Sequence, residues 1–364
     1  MIIDSGAQVK RLTPKKRILR MIEGSPIDRL PSDIWLSDKL ADRLRAELCL
    51  DEQGLRELLD NHFVIIGPLD NHKSWEDPAL FKLSLEHGCF QLDRDKGIIY
   101  DSWGVGWDTE HEGIYARYHP LSENPDLDKY QFPSATDPIL YEPLASAVEN
   151  LGDHYCIVGV QDLTLFERAC ALRSFENYLV DIKTDREYAR ELMNRITAYQ
   201  IEVAECIAAT GIQIAFTGGD YGTQQDLIIS YDDWRDIELP GLIEIWNVYK
   251  QAGIPIMHHS CGNIVKVIPD LVDAGLDILN PIQHVMNPQP LIDMFGQKVV
   301  FFGGIDSQEL IPFGTPERIR NEVLHYIDLF KNTRGYIIAP DQCLMSDVPT
   351  ENILSLVETI REYA

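Results

Sequence analysis

Short apolar runs alternate with longer amphipathic stretches along this chain, and this alternation restricts the fold more than any other feature. We predict strands at 63–67, 155–160, 212–217, 254–258, 276–279, 299–302 and 335–339. Strands that are apolar on both faces and separated by helices are typical of a parallel sheet covered by helices. From about residue 155 onward their spacing is that of repeated βα units. We therefore predict a (β/α)8 TIM barrel; an open doubly wound sheet is the alternative, but no GxGxxG follows any strand.

The segments outside this repeat complete the predicted organisation. We predict one domain over residues 1–364, with residues 1–60 as an N-terminal helical extension. Residues 92–131 are rich in aromatics and glycine and lack periodicity, which indicates an inserted hairpin or loop region near the barrel mouth. One helix begins clearly: Thr315 is the predicted N-cap and Pro316 the first helical residue.

Composition excludes several classes of function. The chain has 58 acidic and 32 basic residues, a formal net charge of -26. Such a surface repels phosphate backbones and anionic membranes, so we expect neither nucleic acid nor membrane as a partner. No apolar run is long enough to cross a bilayer, and no secretory signal pattern opens the sequence, so we expect a cytoplasmic protein. The seven cysteines form no CxxC pair, which favours buried free thiols over disulfides.

Polar residues follow the predicted strands, where the active site of a barrel lies. They are Asp162, Asp220, His259, Cys261, Gln283, His284, Asp306, Asp341 and Cys343. In an extended segment, His259 and Cys261 point to one side and His258 to the other. A His-x-Cys pair with a further cysteine, Cys343, at another strand end matches the three protein ligands of a catalytic zinc; buried, inert side chains are the alternative.

Several longer motifs resemble one family. HSCGNI, GLDILNPIQ, FFGGIDSQELIPFGTPERI and GYIIAPDQCLMSDVPTENI are similar to the C-terminal half of the uroporphyrinogen decarboxylase superfamily. TPKKRILRMIEGSPIDRLPSDIW, YDSWGVGWDTEHEGIYARYHPL and FTGGDYGTQ agree in the same order. The resemblance implies a (β/α)8 barrel with its site at the carboxyl face of the strands. The decarboxylases carry an arginine-bearing RQAGRYLPEY-like segment, whereas the corresponding place here reads WLSDKLADRL.

The resemblance therefore implies the other branch of the superfamily, the corrinoid-linked zinc methyltransferases. It assigns His259, Cys261 and Cys343 to zinc, and implies a corrinoid carried by a separate corrinoid-binding protein. The small-molecule methyl donor or acceptor and the direction of transfer stay open. The rings of Trp103, Trp107, Tyr115 and Tyr118 suggest a pocket for a flat donor such as an aryl methyl ether; packing within an inserted loop is the alternative. The alternatives are a methylcorrinoid-to-thiol methyltransferase, a cofactor-free decarboxylase, and a non-catalytic protein that binds only metal or carrier.

Five other residues complete the predicted site. Asp220 is the predicted catalytic residue, with three roles open: fourth zinc ligand, hydrogen-bond partner of His259, or general acid. Gln283, His284, Asp306 and Tyr221 are predicted to contact substrate or corrinoid.

Overall fold

The computed structural model describes residues 11–75, 77–111 and 113–364. The helices are α1 (Pro14–Ile22), α2 (Asp38–Leu48), α3 (Glu52–Leu59), α4 (Pro78–Glu86), α5 (Glu142–Leu151), α6 (Phe166–Arg173), α7 (Phe175–Thr184), α8 (Arg186–Ala209), α9 (Tyr231–Ile237), α10 (Leu239–Gln251), α11 (Ile268–Ala274), α12 (Pro288–Phe295), α13 (Leu310–Phe313), α14 (Pro316–Phe330) and α15 (Thr350–Tyr363). Short 3-10 helices occupy His72–Trp75, Pro138–Tyr141 and His284–Met286.

The strands follow the predicted alternation. They are β1 (Phe63–Ile66), β2 (Gln91–Asp93), β3 (Ile98–Tyr100), β4 (Gly106–Asp108), β5 (Ala116–Tyr118), β6 (Cys156–Gln161), β7 (Ile214–Gly218), β8 (Ile256–His259), β9 (Ile278–Ile282), β10 (Val300–Ile305) and β11 (Gly335–Pro340). All seven strands predicted for the parallel sheet are present within a few residues. Thr315 caps α14 as predicted, because its hydroxyl oxygen accepts the N–H of Arg318.

A parallel sheet in the order β1-β6-β7-β8-β9-β10-β11 forms the centre of the described structure. Along each strand, successive side chains point to opposite faces of the sheet and belong to two different buried sets. The first packs against the surrounding helices. The second faces inward across the curled sheet, so that Phe63 of β1 stacks on Phe302 of β10 with ring centroids 6.2 Å apart. The prediction of an α/β fold with a parallel sheet wrapped by helices is confirmed.

The eight-strand count is not confirmed, because the described sheet has seven parallel strands. An irregular segment, residues 31–37, lies between the two edge strands β1 and β11, and we call it the seam. Ser32 forms parallel bridges to both Asn61 and Ile338, and Leu36 bridges to Leu344. The segment is too short and too irregular to be a strand, yet it supplies main-chain hydrogen bonds to both edges.

Helix α1 closes the amino-terminal end of the curled sheet. Ile18, Met21 and Ile22 belong to the inward-facing buried set. A side chain added at Gly335, the first residue of β11, would lie 2.4 Å from Met21. The stretch before β1 is thus helical in α1, α2 and α3 but interrupted by the seam, and residues 1–10 of the predicted extension lie outside the described residues.

The predicted insertion is a small antiparallel sheet in the order β2-β3-β4-β5. Ile99 and Trp107 pair across it, and both are buried. In the part of the chain that is described, no helix combines the length and apolar character that a bilayer crossing requires.

Candidate metal centre

His259 is the last residue of β8 and points into the mouth of the curled sheet. It lies on the same side of the strand as the inward-facing Met257, as alternation requires. Its ring packs against Trp35 from the seam and Phe216 from β7, with centroid distances of 6.1 and 5.9 Å. These rings limit how the imidazole can rotate.

His258 points to the opposite side, as predicted from strand alternation. It is fully buried beside Trp246 and Tyr221, and its Nδ1 lies 2.9 Å from the hydroxyl of Thr217. Burial, followed by the nearby His259, lowers the pKa of His258 to about 3. This histidine is a neutral packing residue of the helix-covered face.

Three potential metal ligands converge at the end of β8. The Sγ of Cys261 lies 3.4 Å from Nε2 of His259, and Oδ1 of Asp220 lies 3.6 Å from the same nitrogen. All three ligand atoms lie within 4.8 Å of one another. Zinc bonds of about 2.0 Å to nitrogen and about 2.3 Å to sulfur, at tetrahedral angles, separate those two ligand atoms by roughly 3.5 Å. The spacing of the three atoms therefore fits one zinc ion.

Hydrogen bonds orient each of these side chains. Nδ1 of His259 donates to the side-chain oxygen of Asn280 at 2.6 Å, which directs the Nε2 lone pair toward Cys261 and Asp220. Oδ1 of Asp220 accepts the N–H of Cys261 at 2.8 Å. Of the three roles predicted for Asp220, its position fits both a ligand and a close partner of His259.

The surroundings of Cys261 disfavour its thiolate form unless a cation is bound nearby. Burial raises its pKa, and the negative charges of Asp220, Glu167 and Asp341 raise it further. A bound divalent ion inverts this effect, because it stabilises the thiolate directly. The donor set of one imidazole, one thiol and one carboxylate suits zinc.

Cys343 lies on the loop after β11 and is not part of the three-atom group. Gln342 stands between the two cysteines: its amide nitrogen donates to Sγ of Cys261 at 2.9 Å, and its amide oxygen accepts the N–H of Cys343 at 2.8 Å. The Gln342 side chain thus contacts the thiol of Cys261 and the backbone of Cys343. Zinc ligation by Cys343 stays a prediction.

A glutamate that sequence reasoning missed lies beside this centre. Glu167 is in the first turn of α6, and its Oε2 lies 3.7 Å from the position that a Cβ would take at Gly218, two residues before Asp220. Burial, then the charges of Asp220, Asp162 and Glu238, hold the pKa of Glu167 well above its usual range. Its only sequence signal is its position five residues after the strand-end Asp162.

The family profile described as Uroporphyrinogen decarboxylase (URO-D) matches residues 101–363. This chain belongs to the URO-D family. The match includes β6 to β11 and every candidate ligand described above.

Sequence identity between this chain and individual relatives is low. The chain is 25% identical over 202 residues to a methylated-thiol--coenzyme M methyltransferase of Methanosarcina mazei, covering 54% of this chain and 51% of the relative. It is 26% identical over 137 residues to a uroporphyrinogen decarboxylase of Thermus thermophilus, covering 37% and 38%. The chain thus spans about half or less of the curated relatives it matches. A solved methyltransferase from Methanosarcina mazei has the same fold, with a TM-score of 0.70 at 16% identity, covering 97% of this chain and 99% of that one.

The other predicted site residues of this URO-D family member lie around the same mouth. Gln283 is buried and accepts the N–H of Gly262 at 2.6 Å, so it supports the loop that carries Cys261. His284 and Asp306 form a second group with Asp341 whose potential ligand atoms lie within 4.8 Å of one another. Their contact with substrate or corrinoid stays a prediction.

Tyr221 differs from this group because its side chain is 1% exposed on the helix-covered face. Its hydroxyl donates to Glu238, and its ring stacks on His258. The structure gives Tyr221 a packing position, and its contact with substrate or corrinoid stays a prediction.

The buried carboxyl of Glu238, on the helix-covered face, makes the stability of the protein depend on pH. Its Oε1 accepts the N–H of Phe166 and the hydroxyl of Tyr221, whereas its Oε2 is buried without a partner. Burial raises the pKa of Glu238 to about 8. The stabilisation that the protonated form provides is complete below about pH 4.5 and is lost as the pH rises to about 8, at up to about 1.4 kcal/mol per pH unit.

The variant Glu238→Gln keeps Oε1 and stays neutral at every pH. Its free energy of unfolding, measured with urea, is expected to rise relative to that of the parent protein between pH 5 and pH 8. A difference between the two proteins that does not change over this range would show that the carboxyl titrates normally.

Proposed function

We propose that this chain is a zinc-dependent methyltransferase that moves a methyl group between a small methylated substrate and the cobalt of a separate corrinoid-binding protein. The observation that carries the proposal is the spacing of Asp220, His259 and Cys261, whose ligand atoms fit one zinc ion. Membership of the URO-D family and the match to a methylated-thiol--coenzyme M methyltransferase support it.

A zinc ion bound here would supply a Lewis acid, which activates a thiol or the leaving atom of a methylated substrate. The protein's own residues prepare the position. Asn280 holds His259 in the tautomer that offers Nε2, and Trp35 and Phe216 shield one side of the ring from water. Gln342 contacts Cys261 and connects it to the loop of Cys343.

Both directions of transfer fit this arrangement. The name of the Methanosarcina mazei relative favours a thiol or methylated thiol as one partner. An aryl methyl ether is supported by Trp103 and Trp107, which line a cavity beside the mouth. Tyr115 and Tyr118 of the same region do not support it, because their side chains are 57% and 51% exposed.

The decarboxylase alternative is less well supported. A carboxylated porphyrinogen needs basic groups to bind its acids. Arg43, in the segment that replaces the arginine motif, donates to the carbonyl oxygens of Ser346 and Val348. Among the described residues that line the cavity, Arg168 is the one arginine, beside Asp70, Asp101 and Asp162.

Metal analysis tests the proposal directly. The purified protein is expected to contain about one zinc per chain and to demethylate or methylate a corrinoid protein with at least one thiol, thioether, ether or amine substrate. Full activity after complete removal of metal by a chelator would overturn the zinc requirement. Zinc binding without methyl transfer to or from any corrinoid would favour the non-catalytic alternative.

A further inference from the structure

A cavity lies beside the candidate metal centre, between the loop after β1, the inserted sheet and helix α8. Aromatic rings form much of its wall, from Trp75, Trp103, Trp107 and Tyr199. Trp103 and Tyr199 meet edge to face with centroids 4.5 Å apart. The indole N–H of Trp75 is buried without a hydrogen-bond partner. The wall therefore combines aromatic rings with polar side chains.

Carboxylates interrupt the aromatic wall. Asp70, Asp101 and Asp162 line the cavity, and Arg168 is the one arginine or lysine among its described lining residues. The guanidinium of Arg168 is already engaged, because it donates to Asp101 at 2.8 Å and lies 4.9 Å from the ring centroid of Trp103. That pair is neutral together, so Asp70 and Asp162 determine the charge that a ligand meets.

Asp70 has the weaker set of partners. The hydroxyls of Tyr199 and Ser102 approach its Oδ2 at 3.3 and 3.4 Å, and no arginine or lysine in the described chain forms an ion pair with it. Burial raises the pKa of Asp70. A positively charged ligand would stabilise the carboxylate form of Asp70, whereas an anion would be repelled by the carboxylates of Asp70 and Asp162.

Asp162 connects the cavity to the metal centre. Its carboxylate accepts a hydrogen bond from Asn71 at 2.7 Å and lies 3.1 Å from Nε2 of His72. Its own Cβ is 3.5 Å from the position that a Cβ would take at Gly218, two residues before Asp220. The cavity-lining Asp162 thus packs against the strand end that leads to Asp220.

We propose that this cavity binds the ammonium group of a small cationic substrate, of the quaternary or protonated amine class. Aromatic faces combined with carboxylates are the arrangement that recognises such cations. The assignment of the cation as the methylated substrate rests on the proposed function. The binding itself involves no zinc ligand.

Calorimetric titration with choline and with its uncharged isostere 3,3-dimethyl-1-butanol tests the proposal on the full chain. Choline is expected to bind at least ten times more tightly than the isostere. Asp70→Asn keeps an acceptor for the two hydroxyls and is expected to weaken choline binding about tenfold while leaving the isostere unchanged. Asp95→Asn, at an exposed turn of the inserted sheet, is the matched control and is expected to change neither affinity.

Two further arms separate the possible failures. Asp162→Asn is expected to lower choline affinity as well, which covers the case in which the Asp70 variant does not fold. Cys261→Ala is expected to bind choline as the parent protein does, so that loss of the zinc proposal leaves this one intact. Equal affinity for choline and its isostere, or preferential binding of 2-methoxyphenol that Asp70→Asn does not alter, would overturn the cation site.

Discussion

Replacing Cys261 with alanine is expected to remove the zinc and to lower methyl transfer about a thousandfold. The thiol sits 3.4 Å from Nε2 of His259, and no other described sulfur belongs to that three-atom group. A Lewis acid of this kind contributes several kcal/mol of transition-state stabilisation, and about 1.4 kcal/mol corresponds to each tenfold change in rate. Metal content by mass spectrometry and the rate of corrinoid methylation or demethylation measure the two effects.

Cys49→Ala is the matched control, because Cys49 is an exposed free thiol at the end of α2. It is expected to retain zinc and activity. A Cys261→Ala protein that keeps a full complement of zinc would show that the metal is bound elsewhere.

The same measurement on Cys343→Ala and Asp220→Asn identifies the third ligand. If the Cys343 thiol moves to the position of the Gln342 amide and binds the metal, Cys343→Ala loses zinc. Asp220→Asn then keeps most of its zinc. The reverse result assigns the position to Asp220, as the spacing of the ligand atoms favours. Loss of zinc in both variants would indicate that Asp220 and Cys343 both bind the metal together with His259 and Cys261.

Gly262→Ala is expected to destabilise the protein by about 3 kcal/mol or more and to prevent zinc binding. Gly262 directly follows Cys261 and has a φ of +82°. A Cβ there would lie 2.3 Å from the backbone carbon of Gly222, on the loop after β7. The two loops must therefore separate, and Cys261 moves with them.

Gly253→Ala is a matched control for the backbone conformation alone. Its φ is +71°, and an added Cβ would meet nothing within 4 Å. The substitution is expected to lower the free energy of unfolding by about 1–2 kcal/mol, because a residue with a side chain disfavours the left-handed conformation. Zinc content is expected to stay unchanged. Urea unfolding and metal analysis of both variants separate the two contributions. Equal destabilisation of both would show that the loop contact at Gly222 is unimportant.

Regular elements were predictable from the sequence because their apolar patterns are local. All seven strands of the parallel sheet, and the N-cap of α14, follow from short runs of residues. The seam at Ser32 carries no such pattern, since its bridges to Asn61 and Ile338 are formed between distant parts of the chain. The predicted barrel has eight strands, but the sequence pattern located only seven of them, and the seam carries no strand pattern.

The candidate site was predictable only in part for the same reason. His259 and Cys261 share one strand end, so alternation alone places them on one side. Glu167 reaches Asp220 from a helix, and Gln342 reaches Cys261 from a loop 81 residues away. No local pattern distinguishes these residues from ordinary helix and loop residues. Their positions depend on how the sheet curls.

The seam has a consequence for when the site forms during synthesis. Trp35, which packs on His259, lies in the segment whose backbone is hydrogen-bonded to Leu344, more than 300 residues later. Contacts of such long sequence separation carry a large loop-closure cost and form late. A nascent chain that ends before β11 lacks both the partner of the seam and Gln342. The seam and the contact of Gln342 with Cys261 can therefore form only after residues 342–344 have been synthesised.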